Sequence, residues 1–240
     1  MTIYAVGDIH GQRTRLEEVL ARIDRDGGDG AEVIFLGDYV DRGPDSRGVV
    51  ALLSGGIAEG RNWTCLRGNH DRMYERFLAD GEIEDANIKS GLPWLHSRLG
   101  GMETLRSYGI SAPDGAPPHE LWQAARVAVP AAHRAFLSDL QPFAERPGLL
   151  FVHAGIRPGV ALKDQSEDDL YWIRGEFLTD SRRHPWLVVH GHTALEAPKH
   201  YGNRVNLDGG AGYGRALSVA GFDDDGCFLL TGRGRERLAP

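Results

Sequence analysis

Short apolar runs that stop at a glycine recur along this chain. Residues 3–6 (Ile-Tyr-Ala-Val) read as a buried strand that ends at Gly7-Asp8, and residues 13–23 follow with Leu16, Val19, Leu20 and Ile23 at helical spacing. A glycine- and aspartate-rich loop at 26–30 leads to a second strand over 32–36 and a second helix over 46–53. A third strand over 63–66 precedes a third helix over 72–78. Strand, loop and helix thus alternate three times, which predicts an α/β fold with a parallel sheet and a site at the carboxyl ends of its strands.

The pattern changes over residues 80–147, where Trp94, Trp122, short helical segments and the Pro-Asp-Gly-Ala-Pro-Pro turn at 113–118 replace the alternation. This stretch reads as a helical insertion over the site within one domain spanning 1–240. Strand character returns at 149–152, ending at His153, and at 186–189, ending at His190-Gly191-His192. Further β runs at 204–207, 216–220 and 227–231 complete the chain.

Composition narrows the possibilities. With 240 residues the chain can bury a full core. A net charge of −7 argues against a nucleic-acid binder, so an anionic substrate has to be attracted by local positive charge. The two cysteines, Cys65 and Cys227, stand in no metal-like spacing and suggest a reducing compartment. No leader precedes the first strand and no apolar run is long enough to span a bilayer, so a cytoplasmic protein without a membrane partner is expected.

The strand ends carry the chemistry. Asp8 and His10 alternate along an extended backbone and can face one side, a carboxylate oxygen and an imidazole nitrogen suited to a divalent ion. Taken alone, the first motif also fits a helix-capping Asp and a loop His. Asp38 recurs after the second strand, and a carboxylate there can bridge two ions about 3.5–4 Å apart. Asn69 offers an amide oxygen to the second ion, and two later strand ends add His153 and His192. His70 is left over as a general acid for the leaving oxygen, held as an imidazolium by Asp41. Arg42, Arg67 and Arg174 are candidates to clamp phosphoryl oxygens. His190 reads as structural, and His96, His119, His133, His184 and His200 as surface residues.

These motifs resemble the PPP-type metallophosphoesterases, above all bacterial and phage serine/threonine protein phosphatases. Residues 7–11, 37–43 and 68–71 match the family's three leading motifs in order and spacing, while 152–155 and 191–193 match two later ones. The resemblance implies a calcineurin-like fold, two mixed β-sheets sandwiched by helices. It implies a first metal on Asp8, His10 and Asp38 and a second on Asp38, Asn69, His153 and His192. It also implies His70 and Asp41 as the proton-donating pair and Arg42, Arg67 and Arg174 as phosphate ligands. Asp71 stands where eukaryotic members carry glutamate.

The expected cofactors are two divalent ions, Mn²⁺ in first place, with Fe, Zn²⁺ or Co²⁺ compatible with the same donors. The expected activity is hydrolysis of a phosphoprotein or small phosphoester by direct attack of a metal-bridging hydroxide, as in a serine/threonine protein phosphatase. The rival is a dinucleoside polyphosphate hydrolase of the diadenosine tetraphosphate type. That family resembles the chain in its first and third motifs but typically lacks an acid at the position of Asp41. Phosphodiester cleavage ranks lower, and a non-catalytic phosphopeptide-binding module is disfavoured because no ligand is missing.

Overall fold

The computed structural model describes residues 2–113 and 115–240, so Asp114 of the expected 113–118 turn lies outside the described residues. Its first sheet is built on β1 (Ile3–Val6), β2 (Glu32–Phe35) and β3 (Trp63–Cys65), which run parallel. Helices α1 (Arg13–Gly27) and α2 (Ser46–Ala58) make the connections, as the apolar spacing predicts. On the other side of β1 the antiparallel strands β9 (Val219–Asp223), β10 (Gly226–Thr231) and β11 (Gly234–Arg237) extend the sheet to six.

The second sheet has five strands in the order β4 (Phe143–Arg146), β5 (Leu149–Val152), β6 (Leu187–His190), β8 (Arg204–Asn206) and β7 (Lys199–His200). Its inner strands β5, β6 and β8 are parallel. The central strands β1, β2, β5 and β6 are buried on both faces, which is why they read as unbroken apolar runs. Alternation still sorts the side chains. Ala5, Ile34, Phe151 and Val189 point between the sheets, while Tyr4, Val6, Val33 and Phe35 face the layer of α1 and α2. Leu150, Val152 and Val188 face α7 (Glu167–Trp172) and α8 (Gly175–Leu178) on the far side. The architecture is the calcineurin-like one, two mixed sheets between helices.

The insertion is helical, with α4 (Gly101–Ser107), α5 (Pro118–Ala128) and α6 (Ala131–Ser138). It ends earlier than the expected boundary of 147, because 143–146 already form the edge strand of the second sheet. The α4 and α6 helices pack on α2, while α5 and α6 pack on α3 (Asn69–Asp80), and Trp94, Leu105 and Phe136 join Tyr74 and Phe77 in one apolar cluster. The third helix starts three residues before the expected position, so Asn69 and His70 occupy its first turn. His133, read from sequence as a surface residue, is buried against the Tyr108 hydroxyl at 2.9 Å.

Phe151 is fully buried between the sheets, edge-on to Phe222 at 5.8 Å. Phe151→Ala is expected to cost about 3–5 kcal/mol, read as a lower urea midpoint. A loss below about 1 kcal/mol would mean that the two sheets do not depend on this contact.

Candidate metal centre

All six parallel strands end at the same edge of the sandwich, and the candidate residues sit on the loops that leave them. Asp8 and His10 follow β1, Asp38 and Asp41 follow β2, and Asn69 and His70 open α3 after β3. His153 follows β5, and His192 follows β6. The loops are stitched together by their backbones: Ile9 and His10 donate to the carbonyl of Asp38 at 3.1 and 2.8 Å, and Gly191 donates to that of His153 at 2.8 Å. Among the described residues, five non-glycines have positive φ: His10, Asp38, Asp41, Arg42 and His192. Each lies in a sequence-predicted motif, so the strained backbone of this protein is concentrated where its chemistry is expected.

Asp38 is the hinge of the arrangement. Its Oδ2 lies 3.5 Å from His10 Nε2 and its Oδ1 lies 3.5 Å from His153 Nε2. Each oxygen of one carboxylate thus faces a different cluster. One cluster joins His10, Asp38 and His70, the other Asp38, His153 and His192, with donor atoms within 4.8 Å of one another in each. Glycines permit this approach: a Cβ at Gly68 would sit 2.1 Å from Asp38 Oδ1, and one at Gly191 2.0 Å from Asp8 Oδ1. Asp8 is held by the backbone N–H of His192, 3.1 Å from its Oδ2.

The hydrogen bonds fix which way the imidazoles point. His10 Nδ1 donates to the carbonyl of Val40 and His153 Nδ1 to that of Leu36, both at 2.8 Å, leaving each Nε2 with a lone pair turned into the site. His153 Nε2 then faces Asn69 Oδ1 at 3.0 Å, and His192 Nδ1 approaches the same oxygen at 2.8 Å, while His192 Nε2 is buried without a partner. Burial lowers the pKa of His10, His153 and His192, with Arg42 adding to the effect at His10, which favours the neutral form that can bind a metal. Burial alone would raise Asp38, but His153, His70, His10 and His192 around it hold it well below the usual carboxylate range. Asp8 is pushed up by burial and by the neighbouring Asp208 and Asp38. Neutral imidazoles, an amide oxygen and crowded carboxylates turned toward one another form a set that a pair of divalent cations fits.

His70 lies at the edge of the first cluster. Its Nδ1 meets Asp41 Oδ2 at 2.6 Å. Asp41 is fully buried and held by further contacts that sequence reading did not find, one of them from its backbone N–H to the Ser46 hydroxyl at 3.1 Å. Trp94 Nε1 donates to its Oδ2 at 2.8 Å, the Thr104 hydroxyl donates to its Oδ1 at 2.6 Å, and its backbone N–H donates to the Thr104 hydroxyl at 2.8 Å. Asp71 was likewise unassigned. It accepts from the backbone amides of Asp38 at 2.7 Å, Tyr39 at 2.9 Å and Gly68 at 3.0 Å, tying the second loop to the start of α3.

The three arginines fall in different places. Arg42 spans the cluster and the acid, with Nη1 2.7 Å from His10 Nε2 and Nη2 3.0 Å from His70 Nε2, and its guanidinium lies 4.9 Å over the Tyr213 ring. Arg174 stands at the exposed rim, with Asp38, Asp208 and Arg42 in electrostatic reach. Arg67 turns away: it pairs with Glu75 at 2.9 Å and donates to the carbonyls of Leu137 and Ser138 at 3.1 and 2.9 Å, so its contacts are with α3 and the end of α6. Asp208, buried after β8, is a further acid missed from sequence. A weaker signal was available, since Asp208 beside Gly209 follows a short strand as Asp8 and Asp38 beside their glycines follow theirs. His190 is buried between the Gly191 carbonyl and Arg204, a structural position.

Residues 1–220 match the profile of the calcineurin-like phosphoesterases. The chain belongs to that family. This phosphoesterase is 26% identical to the asymmetrical bis(5′-nucleosyl)-tetraphosphatase PrpE of Geobacillus thermodenitrificans, over 93% of this chain and 91% of that protein. It is 25% identical to the PrpE tetraphosphatase of Bacillus subtilis, over 91% and 90% of the two chains. In fold it is similar to the cold-active protein-tyrosine phosphatase of a Shewanella species, with a TM-score of 0.68 at 16% identity, covering 99% of this chain and 80% of that one. The comparisons support a metallophosphoesterase and do not single out serine/threonine protein phosphatases. Among the described residues, no helix is long and apolar enough to cross a membrane.

Asp38→Asn replaces the oxygen that faces one of the two clusters by an amide nitrogen. Protein reconstituted with Mn²⁺ is expected to retain no more than about one equivalent by elemental analysis, against about two for the unsubstituted chain. Two equivalents in the variant would remove Asp38 from the shared position.

Proposed function

We propose that this phosphoesterase hydrolyses dinucleoside polyphosphates, cutting the phosphate chain unequally. The observation that carries this reading is the likeness to asymmetrical tetraphosphatases over more than nine-tenths of both chains, which outweighs the single residue Asp41 that favoured a protein phosphatase from sequence. It rests on the site as well, where Asp8, His10 and Asp38 would hold one divalent ion and Asp38, Asn69, His153 and His192 a second, Mn²⁺ in first place. When bound, the ions supply Lewis-acid charge and an activated water for attack on phosphorus.

The chain's own residues do the rest. Arg42, with a forked pair of donors beside both His10 and His70, binds and orients the phosphoryl oxygens, and Arg174 adds positive charge at the rim. Asp41, fixed by Trp94 and Thr104, orients His70 so that its Nε2 faces Arg42 and the site; once Arg42 turns its donors to the phosphoryl oxygens, a protonated Nε2 can pass its proton to the departing oxygen. Arg67 contributes to the packing of the insertion and takes no part in this scheme.

One observation favours a second reading. A phosphoanhydride leaves as a phosphate, which needs little help from an acid, whereas a serine or threonine alkoxide needs a proton. The 2.6 Å His70–Asp41 pair is built for the second case, so a phosphomonoesterase activity on phosphoserine or phosphothreonine is a coherent alternative.

Side-by-side rates with Mn²⁺ test the main reading. Diadenosine tetraphosphate is expected to give nucleoside triphosphate plus monophosphate, with a kcat/KM at least about tenfold above those for phosphoserine, phosphothreonine and phosphotyrosine peptides. The reverse order would install the second reading. His70→Asn is expected to slow phosphoserine hydrolysis by about 10²–10⁴-fold and para-nitrophenyl phosphate far less, because nitrophenolate leaves without a proton. Equal losses on both substrates would exclude proton donation by His70.

A further inference from the structure

A cleft of about 540 Å³ opens between Asn87 and Lys89 of the insertion and the 166–176 segment that carries α7 and α8. Two residues of its wall connect it to the buried clusters. Trp172 stands edge-to-face with the His192 imidazole at 6.0 Å, and Arg174 has Asp38, Asp208 and Arg42 in electrostatic reach. The cleft therefore adjoins the two clusters through Trp172 and Arg174.

Its charges are unevenly satisfied. Three carboxylates line it, and each is already occupied: Asp168 by Arg72 at 2.8 Å, and Asp169 and Glu176 by Arg157 at 2.7 Å each. Lys89 and Arg174 have no acidic or hydrogen-bond partner among the described residues, and the indole N–H of Trp172 is likewise without a partner. Two unpaired cations beside an aromatic wall, on a chain of net charge −7, make a local anion trap with room for a small organic group.

We propose that this cleft is the subsite for the arm of the substrate beyond the phosphorus under attack, a nucleoside polyphosphate. Lys89 and Arg174 take its phosphates, and the space along Trp172 takes the nucleoside. This inference rests on the dinucleoside polyphosphate reading above and adds to it the direction in which the substrate lies. Lys89, on a loop of the insertion, is a substrate-positioning residue that no motif in the sequence marks.

The test uses the Mn²⁺-loaded full chain and the charge reversal Lys89→Glu, with Lys89→Arg as the conservative control. For diadenosine tetraphosphate, Lys89→Glu is expected to raise KM at least tenfold with little change in kcat, and Lys89→Arg to restore it. The fall in kcat/KM is expected to be at least tenfold smaller for para-nitrophenyl phosphate, which has no arm to place. Equal losses on the two substrates, no loss on either, or a loss as large with a phosphothreonine peptide would each overturn the subsite. If the unsubstituted chain does not cleave diadenosine tetraphosphate, the functional reading fails on its own, and the cleft is then judged by calorimetric titration with ATP. Binding that weakens at least tenfold in Lys89→Glu supports the subsite; absent or unaltered binding overturns it.

Discussion

A buried carboxylate that offers each of its oxygens to a different imidazole is an expensive object for a protein interior. Asp38 is one, and much of the local structure serves to keep it in place. Its backbone adopts positive φ, its amide is held by Asp71, its carbonyl accepts two amides from the first loop, and Gly68 yields the space its Oδ1 needs. His10 and His153 are locked by backbone carbonyls with their lone pairs inward. A fold that directs acceptors at acceptors has stored a preference for cations. The two-sheet architecture makes this possible, because three parallel strands from each sheet deliver their ends to one edge.

Most of this was legible from sequence because the information is local. Each motif couples a short apolar run to a glycine and a polar residue, and the run itself says where the strand ends. Asp8, His10, Asp38, Asn69, His153 and His192 could be named on that basis; the structure gathers His10 with Asp38 and Asp38 with His153 and His192, sets Asn69 against the last two, and leaves Asp8 beside them on the His192 backbone N–H. What the sequence hides is the partner that arrives from far away. Trp94 and Thr104 reach Asp41 across 53 and 63 residues, and neither stands in a pattern that distinguishes it from a core residue. Arg67 fails for a related reason: an arginine beside a motif is visible, but the side of the strand to which it turns is decided by Glu75 and the end of α6. The strand Phe143–Arg146 was absorbed into the insertion because its Ala-Glu-Arg pattern, at a sheet edge, lacks the apolar run of a central strand.

The substrate question has the same structure. A centre of this kind does not distinguish an anhydride from a monoester by its ligands, since both present the same phosphoryl group. The distinction lies in what the leaving oxygen requires and in what the rest of the substrate touches. The His70–Asp41 pair bears on the first and the cleft beside Trp172 on the second. The insertion contributes to both, through Trp94 and Thr104 beside Asp41 and through Lys89 at the cleft wall.

The order in which the centre is assembled has a consequence for biosynthesis. β1 carries the first two candidate ligands, yet it lies in mid-sheet, between β2 and the strand Val219–Asp223. His192 and the neighbouring Asp208 also come from the last quarter of the chain. During translation the amino-terminal motifs leave the ribosome with one flank of β1 unpaired and His153 and His192 still unmade. The chain therefore cannot close its centre progressively from the amino terminus. It must hold the first sheet open until nearly the whole polypeptide is available, a topology whose long-range pairings favour slow folding.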